Sequence, residues 1–347
     1  MALNGYVVLD AFFSLLACLA SVITVVLVGV SLMRLRAGPA GDTTWVEDRV
    51  YLAIQLIYVI LGLTVASWVA LYLLLNDMVP LWPGAMCIYG VTRIGEGSAG
   101  ITGWLPTLVL LAQAAKPLVA FAAGAALVIY RVYRRAGASE LLPRVLGALL
   151  VVALLGTVAS ATELTYLGVP KRDVPVESGC CSSAAADRDG IAPAHSQPSW
   201  LTPAFFACPL LLAFLLWPRF RHVEQSRDPA EGDAILDARL LTSLALAAVA
   251  LAIAGRFAAD VAAPALLHLP YHHCVYDLVT VVPESGVALG LLLWGSFSVG
   301  WAGVVHWLGR SASTAPWVAA ESRLWQSWAV IGYLGAAAMF LVELWLA

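Results

Sequence analysis

Eight stretches of this chain are almost wholly apolar: 6–33, 50–75, 104–130, 143–168, 201–217, 239–268, 286–308 and 326–346. The hydrocarbon core of a bilayer is about 30 Å thick and takes roughly 20 helical residues to cross. Inside lipid there is no water to satisfy backbone N–H and C=O groups, so a crossing segment must close its own hydrogen bonds. The sequence therefore predicts an all-α integral membrane protein with eight transmembrane helices. The fifth stretch is short and the sixth long, which calls for local bilayer thinning around one and tilt in the other. Only 12% of residues are charged, against about 25% in soluble domains. A net charge of −3 offers nothing to a nucleic acid. Thirteen tryptophans suit a chain with two membrane–water boundaries.

Positive charge sets the orientation. Thirteen of the nineteen Lys and Arg residues fall in alternate connections or at their immediate edges, among them Arg34, Arg36, Arg131, Arg134, Arg135, Arg219 and Arg221. Basic loops stay cytoplasmic, so both termini are expected to face outward. The first stretch has no basic leader and is followed by Arg34 and Arg36, which reads as a retained anchor rather than a cleaved signal.

A short motif occurs twice. Pro83-Gly84-Ala85-Met86-Cys87-Ile88-Tyr89-Gly90-Val91 is echoed by Pro270-Tyr271-His272-His273-Cys274-Val275-Tyr276-Asp277-Leu278. Both copies lie between the second and third apolar stretches of their half. Glu96-Gly97-Ser98 and Glu284-Ser285-Gly286 add a looser echo. The chain thus reads as two parallel four-helix repeats, 1–168 and 201–347, joined by an extracytoplasmic linker over 169–200. Parallel repeats related by an axis along the membrane normal occur in transporters.

Cys87, Cys180, Cys181 and Cys274 are all expected on the outer side, while Cys18 and Cys208 sit in apolar stretches as small hydrophobes. In an oxidising compartment such as the outer face of a bacterial cytoplasmic membrane, the expected location, disulfides persist. Three readings of the outer cysteines stand side by side. Two structural disulfides tie Cys87 and Cys274 separately to the Cys180–Cys181 pair. Alternatively, Cys180 and Cys181 exchange with Cys87 and Cys274 by thiolate attack, with His272, His273 and Arg93 lowering thiol proton affinity. The third reading is capture of a soft metal by His272, His273 and Cys274.

Ionisable residues inside a span cost about 2.5–3.5 kcal/mol each on insertion scales and tend to be functional. Lys116 lies eleven residues past Leu105, near mid-membrane at about 1.5 Å per residue, and Pro117 follows it. Arg256 and Asp260 are spaced to share one helix face. Glu163 lies toward the outer end of its span, as do Asp10 and Glu343, which read as wetted carboxylates. Lys116, Glu163, Arg256 and Asp260 together outline an intramembrane polar cavity that opens outward. The run Gly95-Glu96-Gly97-Ser98-Ala99-Gly100 fits a dinucleotide fingerprint in letters only, since it lacks the preceding strand. It reads as a turn. His306 has no matching histidine for a haem, and Trp294, Trp301 and Trp307 read as anchors.

The expectation is a polytopic membrane protein with a cysteine-centred outer site, performing thiol–disulfide exchange. The alternatives are a transporter or complex subunit with stapled loops, or a copper- or zinc-type capture protein. Its partners would be the bilayer and an outer thiol protein or further membrane subunits. The sequence names no cofactor.

Overall fold

The computed structural model describes residues 4–37, 43–82, 85, 87–171, 200–217, 229–269, 272–311 and 313–347. Among them every regular element is helical. Seven helices among the described residues are long and apolar enough to cross a membrane, which makes the chain a polytopic α-helical membrane protein. The expected fifth span is a sixteen-residue helix, Leu201–Leu216, shorter than these seven. The chain divides into two compact units, Met1–Cys180 and Cys181–Ala347.

The first unit contains α1 (Gly5–Ala37), α2 (Thr43–Met78), α3 (Ile88–Thr92), α4 (Leu105–Ala136) and α5 (Leu142–Gly168). Proline in the first turn opens both α4 and α5, where its missing N–H has no helical partner to lose. Arg34 and Arg36 close α1, and Arg134 and Arg135 close α4, each favourable against the negative end of the helix dipole. The guanidinium carbons of Arg34 and Arg49 lie 4.0 and 3.7 Å from the centre of the Trp45 ring, pinning α1 to α2 at that end. The four long helices form a ring in the order α1, α2, α4, α5, with α2 also touching α5. Gly156 lets α5 approach α1, because a Cβ there would meet Ser21 Oγ at 2.6 Å.

The faces of α1 follow lipid rather than water. Leu15, Leu19, Ile23 and Val26 are exposed, whereas Asp10, Ser14, Ser21, Thr24 and Ser31 are buried. An apolar outside gains nothing in water but suits hydrocarbon, where polar side chains face the bundle interior.

The segment between α2 and α4 is partly helical. It contains short 3₁₀ turns at Val79–Leu81 and Gly100–Trp104 besides α3. Its glycine-rich run forms turns. Gly95 has φ +90°, and a Cβ there would strike the Thr102 carbonyl oxygen at 2.3 Å.

The second unit contains α6 (Leu201–Leu216), α7 (Pro229–Phe257), a π-helical turn (Ala258–Ala262), α8 (Ala263–Leu266), α9 (Val275–Val281), α10 (Pro283–Leu308) and α11 (Ala315–Leu346). Here α6 packs on α7 and α11, and α10 packs on α7 and α11. The α10–α11 crossing is closest at Gly295 and Gly332, where a Cβ on Gly332 would lie 2.7 Å from the Leu291 carbonyl oxygen. Aromatic rings fill the core. Phe205 and Phe257 stack at 3.9 Å between centroids, and Phe340 meets both edge-on at 5.3 and 5.5 Å. The helix α7 begins at Pro229, ahead of the apolar stretch expected over 239–268.

Candidate functional site

On α1, positions 10, 14, 17, 21, 24, 28 and 31 alternate by four and three, the spacing that keeps one helical face pointed at its neighbours. Five of them are polar: Asp10, Ser14, Ser21, Thr24 and Ser31, none measurably exposed. On α5, Tyr166, Glu163, Ser160 and Gly156 recur at intervals of three, three and four and are also buried. These two faces meet. Ser14 Oγ donates to Glu163 Oε2 at 2.6 Å, which sets the level at which the antiparallel helices pair.

Lys116 arrives from α4. A helical side chain leans toward its helix N-terminus, and for Lys116 this carries Nζ toward the α3 end, where it forms an ion pair with Glu163 Oε1. Both side chains are 1% exposed. An isolated ammonium could not stay charged at such a place, and an excellent partner is what keeps it tolerable. The helix continues through Pro117 to Ala136.

Asp10 completes the cluster. It is 0% exposed, and neither carboxylate oxygen has a hydrogen-bond partner among the described residues. It faces the charge of Lys116, and the Glu163 carboxyl is within hydrogen-bonding reach. Two ionised carboxylates are both acceptors, so a bond between them needs a proton on one. Tyr166 lies within the field of Asp10, with its hydroxyl buried and unpartnered among the described residues. Two carboxyls and one ammonium leave one negative charge to be neutralised.

Just beyond α5, Lys171 is buried. Its Nζ donates to the carbonyls of Tyr166 and Val169 at 2.7 and 3.3 Å and lies 4.3 Å from the centre of the Tyr166 ring. Burial pushes its proton affinity down to a pKa of about 8. Asn4 bonds Asp77 at the same end. Toward the opposite end the hydroxyls of Thr24 and Ser31 bond carbonyls of their own helix, and their surroundings are apolar, with Ile57, Ile60, Ile129, Leu146, Leu149 and Val152 buried. The polar chamber therefore occupies the α3 end of the unit.

The structure brings together two residues singled out in the sequence, Lys116 and Glu163, and adds three that sequence reasoning missed: Asp10, Ser14 and Tyr166. Asp10 is not a wetted boundary carboxylate. Its signal was the four–three spacing of polar residues along α1, visible in the sequence once that helix is known to bury this face. Glu343 is half-buried near the end of α11.

In the second unit, Arg256 and Asp260 do form the expected ion pair, at 2.8 Å, with Arg256 largely exposed. Asp260 lies in the π turn, a feature that often accompanies functional sites. His273 Nδ1 sits 3.1 Å from the Ala259 carbonyl and 3.8 Å from Asp260. His272 Nε2 turns instead to Asp277 at 2.7 Å. Cys274 is buried immediately before α9, its Sγ within 4.8 Å of an Asp277 carboxylate oxygen. Cys87 is buried immediately before α3. Cys180 and Cys181 lie outside the described residues. His306 Nε2 lies 2.8 Å from Asp237, and Trp307 Nε1 donates to the same oxygen at 2.9 Å. Arg93 forms a half-buried pair with Glu96, donating to Oε1 at 2.8 Å, and this holds the Glu96 carboxyl below its usual proton affinity.

No protein-family model, curated protein or solved structure matches the chain.

Proposed function

We propose that this chain is a proton-coupled membrane carrier whose working centre is the Asp10–Glu163–Lys116 cluster. One observation carries the reading: three ionisable side chains from three helices meet with no exposure beyond 1%, and Asp10 has no hydrogen-bond donor of its own. Intramembrane ionisable clusters are expensive and mark ion paths or proton relays. In this centre Asp10 and Glu163 exchange a proton, Lys116 supplies the fixed counter-charge, and Ser14 holds Glu163 in register. The apolar half of the unit is the barrier that a carrier, unlike an open pore, must keep.

The experiment uses proteoliposomes loaded with a pH-sensitive dye and subjected to a potassium diffusion potential. Proton entry should exceed that of protein-free vesicles and return to their level in Asp10→Asn. Equal rates for wild-type and empty vesicles would remove the proposal.

The finer architecture belongs to the same proposal: eight spans with outward termini in a bacterial cytoplasmic membrane, built from two parallel copies of a four-helix unit. The neighbour order supports it, since α1, α2, α4, α5 pack as α6, α7, α10, α11 do. In both units a cysteine immediately precedes the short helix between the second and third long helices.

A second reading rests on Cys274, whose thiol adjoins Asp277 while His272 bonds the same carboxyl. Thiol, carboxylate and imidazole in one place suit thiol–disulfide exchange with Cys180, Cys181 and Cys87, or soft-metal capture together with His272 and His273. Loss of activity in Cys181→Ser, with the fold retained, would favour exchange; a fold lost along with activity would favour structural disulfides.

A further inference from the structure

The chamber around Asp10 holds more oxygen than its own hydrogen bonds consume. Both Asp10 oxygens and the Tyr166 hydroxyl are buried and unpartnered among the described residues, and they come from two different helices. Ser14 Oγ spends its proton on Glu163 Oε2, which leaves its lone pairs available. Orphaned buried polar atoms of this kind are costly when nothing fills the space between them. Hard oxygen donors with one uncompensated negative charge are the set that suits a small, hard cation. We infer that this chamber binds an alkali cation of sodium's size, in competition with the proton, through Asp10, Tyr166, Ser14 and Glu163.

The inference rests on the proton-carrier reading and names the ion that carrier exchanges. A proton on the carboxyl pair and a sodium ion against it neutralise the same charge, so the two exclude each other. From α4 the chamber faces Lys116, which stays paired with Glu163 in either state. From α5 it faces Glu163 and Tyr166. Lys171 lies beyond the Tyr166 ring and is held by backbone carbonyls. On α2, Asp77 bonds Asn4, and Tyr72 stands one to two turns further in. The other carboxyl of the chamber, Glu163, is already held by Lys116 and Ser14, which makes Asp10 the residue whose charge the cation meets.

The test is thermal unfolding of the purified full-length protein in detergent, with sodium chloride against choline chloride at equal ionic strength. At pH 8.5 sodium should raise the midpoint by on the order of 5 °C at saturation. The sodium concentration giving half the effect should rise about tenfold for each pH unit lowered, as one-for-one competition requires. Asp10→Asn should abolish the sodium shift, and Tyr166→Phe, which keeps the ring packing, should weaken it without lowering the midpoint in choline. Identical midpoints in the two salts would overturn the inference, and so would a sodium shift that survives Asp10→Asn. Should sodium have no effect while the dye assay still reports Asp10-dependent proton entry, only the cation assignment fails. With both absent, the carrier reading fails as well.

Discussion

Lys116 is tolerable in its place because Glu163 pairs with it directly, so the two residues should behave as one unit. Glu163→Gln removes that partner and leaves the ammonium only the Asp10 charge to face, and breaking comparable buried pairs costs about 3–5 kcal/mol. Lys116→Met combined with Glu163→Leu should recover most of that stability, since an apolar pair of similar size needs no desolvation. It should not recover proton movement. Thermal unfolding and the dye assay, run on both variants, separate the two effects. Lys171 offers a second test, outside the spans. Its ordinary pKa is 10.5 and its folded value is about 8, so between those values the unfolded chain holds more protons. Stability should therefore rise as pH increases from about 8 to 10.5 and stay level below about 8, where both states hold the proton. Lys171→Met should flatten that rise, which unfolding midpoints at pH 7 and pH 10 would reveal. Of these residues, Lys116 was legible in the sequence because it stands eleven positions into an apolar helix. Its partner was not, because the pairing of α4 with α5 depends on how the helices pack. Asp10 was misread for a similar reason: closeness to a helix end suggests water, but burial depends on which face the neighbours cover.

At the scale of elements, glycine sets the closest helix crossing. A Cβ on Gly332 would meet the Leu291 carbonyl oxygen at 2.7 Å and Gly295 Cα at 2.9 Å, both backbone atoms, whereas a Cβ on Gly290 would meet nothing within 4 Å. Gly332→Ala should therefore force α10 and α11 apart and destabilise by about 1–3 kcal/mol, as overpacking does. Gly290→Ala should be neutral or slightly stabilising, since alanine is the better helix former by about 1 kcal/mol. Comparing the unfolding midpoints of the two variants checks the crossing without touching the charged cluster. Hydropathy located most of the helices because lipid demands a long apolar run. It misjudged the start of α7, which begins at Pro229 among Glu231, Asp233 and Asp237, because a helix need not end where the apolar run does. The π turn at Ala258–Ala262 leaves no trace in hydropathy either, although the Arg256–Asp260 pair across it did show in the i,i+4 spacing.

At the scale of the molecule, two units share an order of helices and neighbours yet differ inside. The first is polar at its α3 end, with Asp10, Glu163 and Lys116. The second packs Phe205, Phe257 and Phe340 together and keeps its Arg256–Asp260 pair partly exposed. On the proposed duplication, the first copy has kept or gained the ion-handling centre, while the second buries a different polar set, Glu321, Ser322 and Gln326 on α11. The same proposal places both termini on the extracytoplasmic side. Tags at the two ends should be removed together by protease added to intact spheroplasts; protection of one tag alone would mean an odd number of crossings and would leave α6 outside the set of spans. The repeated nine-residue motif was legible as a pattern, but which copy holds the charges depends on residues far from it in sequence.

The most direct test of the central claim is pH-difference infrared spectroscopy of the membrane-embedded protein, in the carbonyl region of protonated carboxylic acids. If Asp10 and Glu163 exchange a proton beside Lys116, the wild type shows a buried carboxylic-acid band that changes with pH. That band is lost or displaced in Asp10→Asn and altered in Glu163→Gln. A spectrum without such a band, or one that both substitutions leave untouched, would contradict the account.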